Sequence, residues 1–316
     1  MLEYTEKIRE IAKKLFEKGT VDVFIGYQKG SIPMMNQPVL ISGPAEVGLL
    51  HWDSHCALNL CNYLTKRTDR IGIVANGCNS RNIVTHIVEN QIKREQLYIV
   101  GIPCTGMVDH RALRRAVRER EILDVKEEGS SFILIGKDFK ETYEKKDFIQ
   151  MNCATCLHRN PVLYDEMIAP PVKEQEGVNP FADVEKTEKM TPAEKQELFT
   201  QLISPCIRCY ACRNACPLCY CPTCFVDESR PQWVGKSVDP VDTMTFHFLR
   251  AYHCAGRCTD CGACERVCPV GIPVRQFTKK LNKDAFELFG WEAGLTVEQR
   301  PPLDVYKVDD YNDFVR

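Results

Sequence analysis

Helical and strand patterns alternate along the first half of the chain. Ile8, Ile11 and Leu15 lie on one face of an amino-terminal helix, and Gly19 stands where such a helix commonly ends. Short apolar runs typical of buried strands follow at residues 21–25, 38–41, 71–75, 97–102 and 132–135. Helical stretches near 55–66, 79–93 and 109–120 lie between several of them. This alternation predicts an α/β fold with a mostly parallel sheet over residues 1–164.

The apolar periodicity stops near residue 164 and returns after residue 190. The segment between them carries prolines and a glycine among many charges, which predicts a linker over 165–190. Thr191 and Glu194 are spaced as in a capping box, and residues 239–252 have helical character with Pro240 in the first turn. We therefore expect a mainly helical domain over 191–290, followed by a carboxyl-terminal tail over 291–316.

This second domain contains two cysteine runs with the same spacing, C-x2-C-x2-C-x3-C, each followed by proline. The first run is Cys206, Cys209, Cys212 and Cys216, and the second is Cys258, Cys261, Cys264 and Cys268. In paired runs of this kind, three thiolates of one run and the fourth of the other hold each [4Fe–4S] cubane. The expected ligand sets are therefore Cys206, Cys209, Cys212 with Cys268, and Cys258, Cys261, Cys264 with Cys216. A single run could bind zinc, but the repeated spacing favours an electron-transfer module.

Both runs resemble the dicluster ferredoxin module of bacterial redox complexes, over roughly residues 200–285. The stretch GRCTDCGACERVCPVGIPVRQFTKKL is especially similar to the second half of such a module. Between Cys216 and Cys258 lie more residues than a minimal ferredoxin needs. The resemblance therefore implies an expanded module built into a multisubunit oxidoreductase rather than a free shuttle protein.

Four cysteines of the first domain stand close to the ends of predicted elements. Cys78 follows the strand at 71–75, Cys104 follows the strand at 97–102, and Cys153 and Cys156 form a C-x2-C pair after the strand at 132–135. Residues just beyond the carboxyl ends of strands meet in one crevice of an open α/β sheet. The sequence therefore predicts a third metal site on these four residues. The alternative is that Cys78 and Cys104 are buried small hydrophobic residues.

A further group of cysteines stands beside the first run in the dense sequence CPLCYCPTC and just before the second run. Its members are Cys219, Cys221, Cys224 and Cys254. They are expected either to hold another cubane or a zinc ion, or only to crowd the neighbouring cluster. Cys56 and Cys61 are spaced C-x4-C, which favours structural burial over metal binding.

Two other motifs invite a functional interpretation. His51, Asp53 and His55 form an H-x-D-x-H string, for which hydrogen-bonded structural histidines are the favoured interpretation over a metal or acid–base site. The segment GYQKGS at 26–31 matches neither the dinucleotide fingerprint nor a P-loop, although a phosphate or flavin contact there is an alternative. No constellation of catalytic acid and base residues is evident.

Composition and charge narrow the class of protein. The chain has 316 residues, of which 44% are hydrophobic, and a net charge of −2 from 41 basic and 43 acidic residues. That balance does not suggest binding to nucleic acid or a membrane surface. The charged amino terminus is unlike a secretory signal, and no apolar run is long enough to span a membrane. We expect a cytoplasmic protein whose 18 cysteines serve metal binding rather than disulfides.

The pieces GTVDVFIGY, RIGIVANGC and YIVGIPCTGMVDHR resemble the flavoprotein beta subunits of coenzyme F420 dependent hydrogenases and formate dehydrogenases. Gly101, Pro103 and Cys104 stand where that family has a glycine-x-proline-cysteine turn. The resemblance implies FAD in the first domain and electron transfer between a deazaflavin or ferredoxin and a catalytic subunit. The family's glycine-rich segment ahead of GTVD has no counterpart here, so flavin stays an open alternative. The ferredoxin motif also follows the α/β domain instead of preceding it.

These patterns together predict an iron–sulfur electron-transfer subunit of a cytoplasmic oxidoreductase complex. The expected complex is of the hydrogenase, formate dehydrogenase or heterodisulfide-reductase-associated kind, and the expected partners are its other redox subunits. Two [4Fe–4S] clusters are predicted, with one or two more if the remaining cysteine sets bind them. The alternatives are a self-contained flavin iron–sulfur enzyme acting on a small electron carrier, and a scaffold whose clusters are only structural.

Overall fold

The computed structural model describes residues 2–304, so residues 305–316 of the predicted tail lie outside the described part. The helices are α1 Leu2–Glu17, α2 Gly77–Val88, α3 His110–Ala116, α4 Met151–Ala154, α5 Ala182–Glu188, α6 Pro192–Ile203, α7 Ala211–Asn214, α8 Pro240–His253, α9 Ala263–Arg266 and α10 Arg275–Phe289. The strands are β1 Val23–Gln28, β2 Gln37–Ile41, β3 Ile71–Ala75, β4 Leu97–Gly101, β5 Ile122–Glu128, β6 Ser131–Gly136, β7 Lys140–Glu144 and β8 Glu166–Met167.

A five-stranded sheet in the order β2-β1-β3-β4-β8 organises the amino-terminal region. Strands β1, β3, β4 and β8 run parallel, and β2 pairs with β1 as an antiparallel edge strand. All residues of β3 are buried, as expected for a central strand that is covered on both faces. Ile8, Ile11 and Leu15 of α1 pack into the same core. The predicted α/β fold with a mostly parallel sheet is confirmed.

The predicted strand at 132–135 forms, but its expected place in the parallel sheet is wrong. It is part of β6, which pairs antiparallel with β5 and β7 in a separate three-stranded sheet. Phe132 and Leu134 are buried and alternate with half-buried neighbours. That period of two is typical of an antiparallel sheet with one packed face, and it distinguishes β6 from the fully buried β3.

The parallel sheet is completed instead by β8, from the segment that the sequence predicts to be a linker. Glu166 and Met167 pair with Val100 and Gly101 of β4. A strand of two residues is too short to produce a recognisable hydrophobic pattern. Helix α5 also lies in the predicted linker, with Val184 buried.

Two predicted helices are shorter than expected or absent. The stretch 55–66 contains only a 3-10 turn at Leu60–Tyr63, and the side chain of Asn79 accepts the Leu60 N–H at its start, at 2.9 Å. Helix α3 ends at Ala116, and Arg118 and Glu119 then adopt positive φ angles of 55° and 56°. Neither change was visible in the apolar periodicity of these stretches.

Residues 191–290 fold mainly as helices, as predicted. Helix α6 begins at the expected capping box, where Glu194 accepts the Thr191 N–H at 2.7 Å and donates its own N–H to the Thr191 hydroxyl at 3.3 Å. Asp239 caps the start of helix α8, and its side chain accepts the Val241 N–H at 2.9 Å. These caps satisfy backbone N–H groups that a helix start leaves free.

Helix α2 joins the sheet region to the helical region. His86 Nε2 lies 2.8 Å from the carbonyl oxygen of Pro217, and Asn82 Nδ2 lies 2.7 Å from the hydroxyl of Thr259. Glu89, at the end of α2, forms an ion pair with Arg257. These contacts hold the two cysteine runs against the carboxyl-terminal edge of the sheet. Among residues 2–304, no helix combines the length and apolar character of a membrane span.

Candidate metal centres

The first centre joins three cysteines of the first run to the last cysteine of the second run. Burial raises the pKa of the Cys206 and Cys212 thiols, and negative charge on the adjacent Cys268 raises both further. Cys209 is exposed. Backbone N–H groups point at the sulfurs, from Arg208 to Cys206 at 3.4 Å and from Ile272 to Cys268 at 3.3 Å. Cys206, Cys209, Cys212 and Cys268 therefore lie near one another, and their ligation of one cubane stays a prediction.

The second centre has the reciprocal composition. Burial raises the pKa of Cys258 to about 11 and that of Cys261 to about 12, and charge on Cys216 contributes to both. Burial also raises the pKa of Cys264, with Cys216 again among its neighbours. The fourth cysteine of the first run therefore lies near the first three of the second run, and crossed ligation of one cubane by these four residues stays a prediction.

One-turn helices position the third cysteine of each run. Cys212 lies on α7 and Cys264 on α9, and each helix follows a residue with a left-handed backbone, Tyr210 at φ 59° and Gly262 at φ 73°. A Cβ on Gly262 would lie only 2.7 Å from the side chain of Asn152. Glycine at this position therefore allows the second run to pack closely against the α/β region.

A third group of cysteines converges at the carboxyl-terminal edge of the parallel sheet. Cys78 lies in the first turn of α2 after β3, Cys104 follows β4, and Cys153 and Cys156 lie on and just after α4. All four line one cavity of about 430 Å³. Charges on Cys104, Cys153 and Cys156 all contribute, after burial, to the raised pKa of Cys78. Cys153 and Cys156 reach this cavity from a helix and not from a strand end of the parallel sheet.

The donor environment of this third group resembles that of the two runs. The Cys104 sulfur accepts the Gly106 N–H and the Cys156 sulfur accepts the His158 N–H, both at 3.4 Å and both from two residues further along the chain. The same relation occurs in the runs between Cys258 and the Asp260 N–H, also at 3.4 Å. Four thiols with backbone donors around one cavity fit the ligand requirements of a [4Fe–4S] cubane.

The segment predicted to be a linker fastens the C-x2-C pair. Gln175 Nε2 donates to the carbonyl oxygens of Cys153 and Cys156, at 3.0 and 2.8 Å. The neighbouring Glu174 carboxylate accepts the Arg159 N–H at 2.6 Å and the Asn160 N–H at 3.1 Å. Glu174 and Gln175 therefore hold this segment against the third group, and we call these two residues the strap.

The second and third centres adjoin each other. Cys258 and Cys261 line the same cavity as the four cysteines of the third group. After burial, charge on Cys261 is the largest contribution that raises the pKa of Cys78. Asn59 lines the same cavity as Cys261. The three centres thus follow one another from the helical region into the sheet region.

Of the four remaining cysteines beside the runs, Cys219 and Cys254 lie next to each other and to Cys216, whereas Cys221 and Cys224 lie apart from them. Hydrogen bonds from the thiols of Cys219 and Cys254 lower the pKa of Cys216. Cys221 is exposed, and Cys224 lies beside Arg213. Within residues 2–304, no group of three or more Cys, His, Asp or Glu side chains is arranged to hold a single metal ion. A metal site on Cys219, Cys221, Cys224 and Cys254 stays a prediction.

The H-x-D-x-H string forms a local hydrogen-bonded turn. Asp53 accepts bonds from His51 Nε2 at 2.8 Å, from the His55 N–H at 2.7 Å and from Asn36 Nδ2 at 2.6 Å. Although burial alone would raise it, these bonds hold the pKa of Asp53 well below its usual range. The nearby Cys56 and the more distant Cys61 are buried in the hydrophobic core.

Two sets of polar residues at the centres were missed from the sequence. Asn76 caps α2, accepts the Cys78 thiol at 3.2 Å and directs its amide to the Cys104 sulfur at 3.8 Å. An asparagine directly before Gly-Cys at a strand-to-helix junction was the available signal. His247 and Arg250 on α8 are the other set, and their signal was a polar pair on the inward face of an amphipathic helix.

Comparison with known proteins agrees with this geometry. Residues 202–272 match the family model of the 4Fe–4S dicluster domain, so the chain contains a dicluster ferredoxin domain. It is also similar to the F420-dependent formate dehydrogenase subunit beta of Methanocaldococcus jannaschii, at 23% identity over 94% of this chain and 93% of the relative. The F420-dependent formate dehydrogenase 1 subunit beta of Methanococcus maripaludis is 23% identical over 94% of this chain and 92% of that relative.

Among solved structures, a chain of the xenon-derivatised F420-reducing [NiFe] hydrogenase complex from Methanosarcina barkeri matches with a TM-score of 0.39 and 15% identity, over 50% of this chain and 62% of that chain. The two resemblances read from the sequence, to dicluster ferredoxin modules and to the formate dehydrogenase beta subunits, are confirmed by the family match and the relatives. The predicted kind of protein, an iron–sulfur electron-transfer subunit, is confirmed with them.

Proposed function

We propose that this chain relays single electrons through three adjacent [4Fe–4S] clusters within a cytoplasmic oxidoreductase complex of the formate dehydrogenase or hydrogenase kind. The partners are the other redox subunits of that complex, including the one that carries the catalytic site. Two clusters belong to the crossed cysteine runs, and the third belongs to Cys78, Cys104, Cys153 and Cys156. Bound clusters supply reversible one-electron chemistry at low potential.

The residues of the chain hold, insulate and orient these groups. Backbone N–H groups such as those of Arg208, Asp260 and Gly106 donate to ligand sulfurs and stabilise their negative charge. Buried apolar residues such as Phe246 exclude water from the first centre. Cys209 is exposed, so the first centre is the one open to a redox partner at the surface.

A single observation carries the proposal: Cys258 and Cys261 share a cavity with the four cysteines of the third group. Electron transfer requires neighbouring centres, and this cavity makes the second and third centres neighbours. Two clusters in the ferredoxin domain alone would not connect to the sheet region. The third group therefore extends the path toward the part of the chain where a partner or a flavin would be reached.

The flavin alternative has less support. Its candidate segment at 26–31 borders neither the 430 Å³ cavity nor the smaller one of about 230 Å³ near Asp109 and Arg266. The names of the relatives, and not a site among the described residues, favour a role for coenzyme F420. Flavin content is therefore measured together with iron in the test below.

The test is anaerobic purification of the full chain with quantification of iron, sulfide and flavin. Three cubanes correspond to about twelve irons per chain. Replacing Cys153 and Cys156 together by alanine is expected to leave about eight irons and to remove one of three reducible signals in paramagnetic resonance. About eight irons in the unmodified chain, unchanged by the double replacement, would remove the third cluster from the proposal.

The matched control is Cys56→Ala. Cys56 is buried in the same domain and also borders the cavity, but its sulfur bonds to the Asp53 N–H and the Asn36 amide. This variant is expected to retain about twelve irons. Iron loss equal to that of the double variant would show that any cysteine replacement in this region disrupts binding.

A further inference from the structure

A buried arginine lies between the first and second centres. Arg250 on α8 is only 4% exposed, and its Nη2 donates to the carbonyl oxygen of Cys212 at 3.1 Å. Its Nε is buried and has no hydrogen-bond partner within residues 2–304. Cys212 belongs to the first centre, so the guanidinium is in direct contact with the backbone of that ligand loop.

The charges around Arg250 are those of sulfur atoms from both centres. The guanidinium of Arg250 is a cation, because arginine is not deprotonated in proteins. Cys212 of the first centre and Cys216 and Cys264 of the second centre lie close enough to interact with this charge, as does Cys254. A buried cation is costly unless opposite charge compensates it. Clusters held by Cys212 in the first centre and by Cys216 and Cys264 in the second would supply that compensating charge.

The same helix supplies a second polar side chain, directed at one centre only. His247 lies three residues before Arg250 on the same helical face and is 2% exposed. Its Nε2 is 3.3 Å from the sulfur of Cys206, a ligand of the first centre. Its ring packs edge-on against Phe246 and Phe277, which fixes its orientation.

We propose that α8, the helix between the two cysteine runs, sets the reduction potentials of both ferredoxin clusters: Arg250 raises both, and His247 raises that of the first. The inference rests on the proposed function, because it assumes that the two runs hold clusters. Reduction adds negative charge to a cluster, so a buried cation stabilises the reduced state more than the oxidised state. A hydrogen bond to a ligand sulfur acts in the same direction.

This role explains why the segment between the runs contains a long helix. A minimal module has no need of α8 for ligation, since α8 contributes no cysteine to either set. Its inward face instead contributes one cation shared by two clusters and one donor specific to the first. Arg250 therefore shifts the reduction potentials of both clusters in the same direction, and His247 makes the potential of the first cluster differ from that of the second.

The experiment is a redox titration of the full, anaerobically loaded chain, followed by paramagnetic resonance. Arg250→Gln is expected to lower both potentials, each by at least a tenfold change in the reduction equilibrium, about 59 mV for a one-electron couple. Arg250→Lys keeps the charge and is expected to give a smaller shift in both. His247→Leu is expected to lower only the potential of the first cluster, and Cys209→Ser identifies the signal of that cluster.

The matched control is Arg230→Gln, which removes an exposed arginine of the same segment and is expected to leave both potentials unchanged. Full iron content with unshifted potentials in Arg250→Gln would overturn the inference, and so would a shift confined to one cluster. If Arg250→Gln loses iron, Arg250→Lys and His247→Leu decide, and unchanged potentials in both overturn it. A wild-type chain without two reducible cubanes would instead contradict the proposed function.

Discussion

The two regions of the molecule bury very different cores. The α/β region packs aliphatic and aromatic side chains from α1, β1, β3 and β4 into one extensive cluster, with Phe24 and Ile73 fully buried. The core of the ferredoxin domain is small, and two of its buried members, Cys212 and Cys268, are expected cluster ligands. The first region thus has enough apolar burial to fold by itself, whereas the second depends on what its cysteines bind.

Iron removal is the strongest way to test this difference. Anaerobic chelation is expected to unfold residues 191–290 while the parallel sheet stays folded, because the sheet has a large apolar core of its own and the ferredoxin domain depends mainly on metal-binding free energy. Hydrogen exchange would show loss of protection in α8 and α10 and retained protection in β3. Equal protection of α8 before and after chelation would mean that its small apolar core is sufficient.

Replacing one crossing ligand sharpens the comparison within the ferredoxin domain. Cys216→Ala is expected to damage the cluster held by Cys258, Cys261 and Cys264, since the missing thiolate leaves one iron without its protein ligand. Paramagnetic resonance of the reduced protein should show loss or alteration of one of the two ferredoxin signals. Damage confined to the cluster of the first run would contradict the crossed arrangement.

The control for this variant is Cys221→Ala. Cys221 lies in the same dense stretch as Cys216 but is exposed, so its removal is expected to leave both ferredoxin clusters intact. If Cys221→Ala altered a cluster as strongly as Cys216→Ala does, the additional cysteines would have a share in ligation.

The smallest expected effect concerns the strap over the third group. Gln175→Ala removes two hydrogen bonds to the carbonyls of Cys153 and Cys156, which stabilise that loop by about 1–2 kcal/mol in total. The third cluster should then decay about tenfold faster in air, with unchanged iron content under anaerobic conditions. Gln201→Ala, an exposed glutamine on α6, is the matched control. Equal decay rates for all three proteins would show that the strap does not protect this centre.

The predictable parts of the molecule are those whose information is local. The capping box at Thr191 and the fully apolar β3 each specify their structure within a few residues, and each forms as expected. Strand β8 could not be predicted, because a two-residue strand is selected by the open edge of β4 and not by its own sequence. The stretch 55–66 likewise forms only a short turn, whose first N–H is accepted by Asn79, a partner that local periodicity does not reveal.

Two cysteines of the third group could be placed from the sequence, and the reason why the other two converge with them could not. Cys78 and Cys104 were placed correctly at the ends of β3 and β4, because parallel strands share one carboxyl edge. Cys153 and Cys156 converge with them for another reason, since α4 and the strap hold them there while β6 belongs to a different sheet. Buried polar partners such as Asn76 and Arg250 were missed because only tertiary packing reveals which atoms they face.

Helix α2 has a consequence for how this chain can vary in length. Its first turn carries Cys78, and its later turns bind the Thr259 hydroxyl and the Pro217 carbonyl beside the two runs. Each residue of a helix adds about 1.5 Å of length and turns the next side chain through about 100°. An insertion or deletion within α2 would move the sheet away from the ferredoxin domain or rotate one of these contacts out of reach. We therefore expect related chains to tolerate substitutions in α2 but not changes in its length.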